Sequence, residues 1–186
     1  MKRLLLAFAL LFAGAGLSAG AAPRSTDPAD SLYQLQGKFI DQDGKAQGLD
    51  VHRGHPVLIT MFYASCPAAC PLIIDTLRAT EKTLTAEERA NLRIVMVSID
   101  PARDTPQALR ALADERHIDT TRWTLLHTDE ATVRTIAALL NVQYRKLPSG
   151  EFNHSTVITL LSPQGQIKAS TSTLGHPDPA ILASLK

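Results

Sequence analysis

Both cysteines of this 186-residue chain lie in one short segment, Cys66-Pro67-Ala68-Ala69-Cys70. A close pair of thiols can form a disulfide, act as a redox couple or hold a soft metal ion between two sulfurs. The usual oxidoreductase motif has two residues between its cysteines, whereas this segment has three. The longer loop still permits a disulfide and also admits a metal, so the spacing alone leaves both kinds of chemistry open.

The cysteines follow a predicted buried strand. Residues 57–63 form a continuous apolar and β-branched run, which is typical of a strand buried on both faces. Pro71 suits a first helical turn, and the apolar spacing from 72 to 84 predicts an amphipathic helix. We therefore expect Cys70 at the helix start and Cys66 in the loop before it. There, unpaired backbone N–H groups and the helix dipole should favour thiolates and lower the cysteine pKa.

The rest of the chain alternates strands with helices. The predicted elements are a hairpin (35–40 and 46–51), a strand at 92–99, a helix from Asp104, a strand at 123–126, a helix from Thr128 or Asp129, a second hairpin (156–161 and 166–170) and a short helix from Asp178. Alternation of this kind requires crossover connections and parallel strand pairs. It predicts an α/β, thioredoxin-like fold with a central mixed β-sheet flanked by helices and an added N-terminal β-hairpin. We expect one such domain at 33–186.

A third candidate ligand is His154, just before the first strand of the second hairpin. In a thioredoxin-like sheet this loop faces the start of the first helix, where thioredoxins place a cis-proline. A histidine here can bring an imidazole nitrogen to two thiolates. Two sulfurs and an imidazole suit copper(I), and the imidazole lets the site tolerate copper(II). Zinc also accepts these ligands, but a structural zinc site needs a fourth protein ligand.

The composition is that of one soluble globular domain, with 45% hydrophobic residues, 20% charged residues and a formal net charge of +1. Balanced charge argues against a nucleic-acid partner, and the apolar content is too high for intrinsic disorder. Five histidines are expected as surface or loop residues: His52, His55, His117, His127 and His176. Met61 and Trp123 are expected in the core.

The N-terminus predicts export. Lys2 and Arg3 precede an apolar run and then small residues, which is the layout of a signal peptide at 1–21 cleaved near Ala21, with a flexible leader at 22–32. An uncleaved membrane anchor is the alternative, although glycine and serine dilute the second half of the segment. Cleavage would leave 17 basic against 18 acidic residues, a net charge of −1. Outside the cytosol, in the periplasm or beyond, the thiols would be oxidised unless something reduces them or a metal holds them.

Three segments carry a combined pattern. They are FYASCPAACP (62–71), VSIDPARDTP (97–106) and Asn-His-Ser (153–155). Together they resemble the Sco/SenC family of copper-binding thioredoxin-like proteins, over roughly residues 35–170. The resemblance implies that Cys66, Cys70 and His154 bind copper. It also places Asp100 near the site, where a carboxylate could orient a ligand or balance charge.

The resemblance further implies an exported metallochaperone. Such a protein delivers copper to the dinuclear copper site of cytochrome c oxidase, or keeps the cysteines of that site reduced. Its partner would be the oxidase subunit with that site or another exported copper protein. The chain departs from the family at Asn153, where many members have an acidic residue, and in its expected loss of the leader, which many members keep as an anchor.

The competing function is a periplasmic thiol-disulfide oxidoreductase. In this interpretation Cys66 exchanges with a partner disulfide and Cys70 resolves the mixed disulfide. A copper carrier requires His154, whereas simple disulfide exchange does not. A peroxidase is less favoured, because the residues that would activate a peroxidatic cysteine do not surround Cys66.

Overall fold

The computed structural model describes residues 27–66 and 69–185 of the chain. The predicted signal peptide at 1–21 and its cleavage site therefore lie outside the described residues. Among the residues that are described, no helix is both long enough and apolar enough to cross a membrane.

The described chain alternates short strands with helices. The strands are β1 (Phe39–Asp41), β2 (Ala46–Gln47), β3 (Val57–Phe62), β4 (Arg93–Ser98), β5 (Trp123–His127), β6 (Tyr144–Lys146), β7 (Phe152–His154), β8 (Ile158–Leu161) and β9 (Ile167–Thr171). The α-helices are α1 (Ala69–Lys82), α2 (Ala86–Asn91), α3 (Pro106–Glu115), α4 (Glu130–Leu139) and α5 (Pro179–Leu185). Two 3-10 helices cover Leu32–Gln34 and Leu49–His52.

Seven strands form one mixed sheet in the order β2-β1-β5-β4-β3-β8-β9. The central strands β3, β4 and β5 are parallel, because the intervening helices carry the chain back across the sheet. The outer pairs, including the N-terminal β1–β2 hairpin and the β8–β9 hairpin, are antiparallel. The predicted α/β class, with a mixed sheet and an added N-terminal hairpin, is confirmed.

The core lies on both faces of β3 and β4. All six residues of β3 are buried, as are five of the six in β4, which agrees with the continuous apolar pattern of these segments. Each large apolar side chain contributes about 1.5–3 kcal/mol when fully buried. Met61 and Trp123 are in this core as predicted, and the Trp123 indole N–H donates to Glu81 (3.1 Å). The cysteine loop is therefore attached to the most buried strand of the sheet.

Side chains at the helix starts satisfy backbone N–H groups. Thr85 and Glu88 form a capping box at the start of α2, and the carboxylate of Asp129 accepts from the backbone N–H of Thr132 at the start of α4 (2.8 Å). The predicted start of α3 at Asp104 is wrong by one position, because Thr105 caps that helix. Asp104 is instead buried, with its carboxylate turned towards the end of β4.

The hairpin of β6 and β7 was not predicted. It forms a separate two-stranded sheet between α4 and β8, with Tyr144 opposite His154 and Lys146 opposite Phe152. Both strands are three residues long and mix aromatic with polar residues, so neither shows a clear hydrophobic period. This hairpin determines where His154 lies.

Three further expectations are corrected. Ser31 and Leu32, assigned to the flexible leader, are buried, and the backbone N–H of Leu32 donates to Gly165 O in the β8–β9 turn (2.9 Å). His52 is buried in a 3-10 helix and is not a surface residue. His127 belongs to β5, and its Nδ1 lies 3.0 Å from Asp104 O. In each case a contact distant in sequence overrides the local polar character.

Candidate metal centre

The two thiols lie where the sequence predicted, Cys66 in the loop after β3 and Cys70 in the first turn of α1. Both are buried, at 8% and 3% exposure, and both are present as thiols with no disulfide between them. The carbonyl of Tyr63 accepts hydrogen bonds from the Cys66 N–H (3.2 Å) and from the Cys70 Sγ–H (3.1 Å). One backbone oxygen at the end of β3 therefore holds both ends of the cysteine loop.

The expectation of a lowered cysteine pKa is wrong for Cys70. Burial raises the pKa of this thiol well above its usual range, and the neighbouring Cys66 raises it further. The helix dipole is a fraction of a charge, and its effect is smaller than the cost of placing a thiolate in an apolar site.

A buried carboxylate braces the start of the cysteine loop. Asp104 accepts hydrogen bonds from the backbone N–H of Ala64 (2.9 Å) and from the hydroxyl of Ser98 (2.6 Å). Burial raises the pKa of Asp104, and these two hydrogen bonds oppose that shift because they favour the charged form. The Asp104 carboxylate therefore connects the loop that follows β3 to the last residue of β4.

Tyr63 links the cysteine loop to the β6–β7 hairpin. Its ring lies 5.4 Å from that of Phe152 and 5.7 Å from that of His154, the latter in an edge-on arrangement at 74°. Its hydroxyl donates to Phe152 O at 3.4 Å. Burial raises the pKa of Tyr63, and the neighbouring Glu151 carboxylate and Cys66 thiol raise it further. This one side chain therefore contacts the thiol loop and the histidine strand.

His154 ends β7 and presents one nitrogen without a partner. Its Nδ1 donates to Ser155 O (3.2 Å), which leaves the lone pair on Nε2. Nε2 is buried, and within the described part of the chain it has no hydrogen-bond partner. Burial also lowers the pKa of His154, which favours the neutral ring. A neutral imidazole whose other nitrogen is held by a carbonyl is the form that ligates a metal.

The structure brings the two cysteines together but not all three candidate ligands. In the stretches 27–66 and 69–185, no three His, Cys, Asp or Glu side chains are close enough to hold one metal ion. His154 is linked to the cysteine loop by the contact of its ring with that of Tyr63. The donor types, two thiols and one imidazole, fit a soft metal.

Asp100 is linked to the β6–β7 hairpin through an arginine. Its carboxylate is 1% exposed and pairs with the Nε of Arg103 in the same loop. The Arg103 guanidinium continues to the hairpin, where Nη2 donates to Gly150 O (2.8 Å) and Nη1 lies 3.7 Å from Glu151 Oε1. Asp100 and Arg103 therefore join the loop after β4 to the loop between β6 and β7, three or four residues before His154.

Sequence reasoning gave Tyr63, Arg103 and Asp104 no role at the candidate metal centre. All three lie in the segments that carried the family resemblance, Tyr63 in the first and the other two in the second. Their roles depend on contacts with residues 40 to 89 positions away, which no local pattern reveals.

Fold and site together define a thioredoxin-like protein with a thiol pair at the start of its first helix and a histidine hairpin beside it. The family model for SCO1/SenC matches residues 26–186. The chain belongs to the SCO1/SenC family, as its three sequence segments indicated.

Relatives and solved structures agree with this assignment. The SCO1 protein homolog of Bacillus subtilis is 26% identical over 137 residues, which are 69% of this chain and 68% of that protein. The chain spans less than two thirds of several other curated relatives, 38% of one from Stutzerimonas stutzeri and 64% of the SCO2-like protein of Rickettsia prowazekii.

Two solved structures are similar over most of the chain. Bradyrhizobium japonicum ScoI with copper bound has 25% identity and a TM-score of 0.63, covering 80% of this chain and 94% of that one. The second is BsSco, studied for a disulfide switch and described as a member of the Sco family of cytochrome c oxidase assembly proteins. It has 23% identity and a TM-score of 0.65, covering 87% and 96% of the two chains.

Proposed function

We propose that this protein is a copper-binding metallochaperone in which Cys66, Cys70 and His154 are the ligands. The observation that carries the proposal is the buried Nε2 of His154, which has no hydrogen-bond partner in the described residues and belongs to a ring that contacts Tyr63 at the start of the cysteine loop. A buried nitrogen lone pair without a partner is costly, and a bound metal ion would satisfy it. The copper in Bradyrhizobium ScoI supports the choice of metal.

The donor set favours copper(I). Two thiolates are soft ligands, and an imidazole completes a three-coordinate site that does not need a fourth protein ligand. When bound, the metal takes the place of the thiol protons, so its charge offsets the burial that otherwise keeps Cys70 protonated. Tyr63 and Asp104 hold the thiol end of the site in place through the loop backbone. The β6–β7 hairpin would supply the imidazole of His154 as the third ligand.

The acceptor in this proposal is an exported copper protein, with the dinuclear copper site of cytochrome c oxidase first among the candidates. BsSco, which has this fold, is described as belonging to a family of oxidase assembly proteins. We propose further that residues 1–21 are removed on export to the periplasm and that 33–186 form the copper-binding domain. The intact mass of the protein recovered from the periplasm tests whether residues 1–21 have been removed.

Thiol-disulfide exchange is the second candidate, because the two sulfurs are neighbours in the structure. The Cys66 thiolate would attack a partner disulfide, forming a mixed disulfide and releasing one partner thiolate. Cys70 would then attack the Cys66 sulfur and release the second thiol. The partner gains two electrons, and Cys66 and Cys70 become a disulfide.

Anaerobic competition with a chromophoric copper(I) chelator tests the ligand set. We expect the reduced protein to bind one copper(I), and His154→Ala, Cys66→Ser and Cys70→Ser each to weaken binding by at least about tenfold, or about 1.4 kcal/mol. His176→Ala is the matched control, because His176 is exposed and outside the cluster. Wild-type affinity in His154→Ala would exclude the histidine as a ligand.

The same proteins separate the two functions when they are assayed for reduction of insulin disulfides. Both cysteine variants should lose any such activity, since exchange needs both sulfurs. His154→Ala should keep it, because no step of the exchange uses the imidazole. Reductase activity without measurable copper(I) binding would establish the oxidoreductase and exclude the carrier.

A further inference from the structure

A cleft of about 340 Å³ lies behind the β6–β7 hairpin. Its walls are the loop after β4, one face of α4 and the hairpin itself. The floor is apolar, formed by Ile99, Val133, Tyr144 and Phe152. The volume is at the lower end of ligand-binding pockets, enough for one or two side chains of a peptide.

The rim of the cleft carries three cationic side chains and one exposed carboxylate, that of Glu130. Arg134, Arg145 and Lys146 line it and are exposed. In the described residues, Arg145 and Lys146 have no carboxylate partner within 4.0 Å, and Lys146 lies over the Phe152 ring at 5.6 Å. Arg134 pairs with Glu130 at 3.6 Å, but both side chains are solvent-exposed, and such a pair contributes little. All three cations are therefore available to a ligand's carboxylates.

The cleft shares a wall residue with the surroundings of the candidate metal centre. Phe152 lines the cleft on one side and contacts Tyr63 on the other, at a centroid distance of 5.4 Å. Tyr144 and Arg145 also line a second hollow, which includes His154. A segment bound in the cleft would therefore lie beside the strand that carries the histidine.

We propose that this cleft binds an acidic segment of the protein that receives the metal, with an apolar side chain on the floor between carboxylates held by the rim. The apolar floor and the unpaired cations are complementary to such a segment, and arginine suits carboxylates because it can bind them with two parallel hydrogen bonds. The identity of the partner as a metal acceptor rests on the proposed function. The chemistry of the segment rests on the cleft alone.

Fluorescence anisotropy with a labelled peptide of alternating glutamate and leucine tests the cleft. We expect this peptide to bind the full chain and the matched glutamine-leucine and lysine-leucine peptides to bind at least about tenfold more weakly. Binding should weaken as sodium chloride rises from about 50 to about 500 mM, because exposed charges are screened. The double variant Arg145→Glu/Lys146→Glu should lose at least about tenfold in affinity.

The control is Lys45→Glu/Lys168→Glu, which changes the net charge equally at two exposed lysines outside the cleft. This control should bind the peptide as the wild type does. Equal losses in the two double variants, or equal binding of the three peptides, would overturn the cleft as the binding site. Binding of the wild type to anionic lipid vesicles but not to the acidic peptide would overturn the choice of a protein partner.

Copper(I) titration of the same samples keeps this inference apart from the proposed function. Arg145 and Lys146 are not among the proposed ligands, so their variant should bind copper(I) as the wild type does. Peptide binding without copper(I) binding would contradict the metallochaperone and leave the acidic-segment site in place. Copper(I) binding without peptide binding would contradict the acidic-segment site and leave the metallochaperone in place.

Discussion

Arg103 illustrates how one side chain can position another at a distance. Its guanidinium neutralises Asp100, which is almost fully buried, and reaches the backbone of the β6–β7 loop at Gly150. An unpaired carboxylate in this position would be costly, so the pair is held in place. The hairpin is thereby attached near its tip, and His154 at the end of β7 is positioned relative to the thiols.

Replacement of Arg103 by glutamine should release the hairpin. The buried charge of Asp100 would lose its partner, and we expect the free energy of unfolding to fall by about 1–3 kcal/mol, the lower part of the range because the arginine is 40% exposed. Hydrogen exchange of the amides at 144–154 should accelerate by at least about tenfold, more than exchange in β3 and β4.

Arg110→Gln is the control, since Arg110 is similarly exposed and forms ion pairs with Asp114 and Asp43 at the surface. The double variant Asp100→Asn/Arg103→Gln should recover part of the lost stability, because no unpaired charge remains. The hairpin amides of this double variant should still exchange as fast as those of Arg103→Gln. Hairpin exchange in Arg103→Gln that matches the control would contradict the positioning role.

Among the elements, the turn between β8 and β9 anchors the N-terminal segment. Gly165 has a φ of +80°, and its carbonyl accepts from the Leu32 N–H. The Ser31 hydroxyl donates to Gln164 O at 2.5 Å. The first 3-10 helix is therefore packed on this turn, so Ser31 and Leu32 belong to the folded domain.

Gly165→Ala should be more destabilising than the same change in the β1–β2 turn. An added Cβ at Gly165 would lie 2.6 Å from Ser31 Oγ and 2.7 Å from the Tyr33 ring. Gly44 has nearly the same φ, +79°, and a Cβ added there would have no other atom within 4 Å. Both variants incur about 1–2 kcal/mol of left-handed strain. Overpacking should add about 1–3 kcal/mol at Gly165 alone.

Urea denaturation of the two variants measures this difference directly. The common strain cancels in the comparison, so only the contact with the N-terminal segment remains. Equal midpoints and equal slopes for Gly165→Ala and Gly44→Ala would mean that Ser31 and Tyr33 do not pack on the turn in solution.

At the scale of the whole molecule, His52 couples folding to pH. Burial, with smaller contributions from the nearby Arg93 and His55, lowers the pKa of His52 to about 4, and Asp50 opposes this shift. In the unfolded chain the ring takes up a proton at about pH 6.5, whereas in the folded chain it remains neutral down to about pH 4. The unfolded state therefore binds more protons in this window.

We expect the wild type to lose stability as the pH falls from about 6.5 to about 4, by up to about 3 kcal/mol from His52, and no more from this residue below that window. His52→Gln should show a flatter dependence, because glutamine does not titrate. His176→Gln, at an exposed histidine, should follow the wild type. Urea denaturation at about pH 7 and about pH 4.5 measures this, and parallel losses in all three proteins would rule out His52 as the cause.

Local patterns in the sequence determined most of the secondary structure and the thiol half of the site. A continuous apolar and β-branched run is typical of a strand buried on both faces, so β3 and β4 could be predicted directly, as could Cys70 at a helix start. The capping box of α2 is similarly local. The motif order also identified the family, because three separate segments had to match together.

Only the tertiary structure decided how the pieces of the site are held. The β6–β7 hairpin is held by packing of its aromatic residues and by Arg103, contacts that the sequence of its two short strands does not reveal. Burial, a property of the whole fold, reversed the expected pKa shift of Cys70 and made His52 a core residue. The sequence therefore indicated which residues are candidate metal ligands, and only the fold showed that the His154 ring contacts Tyr63 at the start of the cysteine loop, since desolvation and long-range contacts have no local signature.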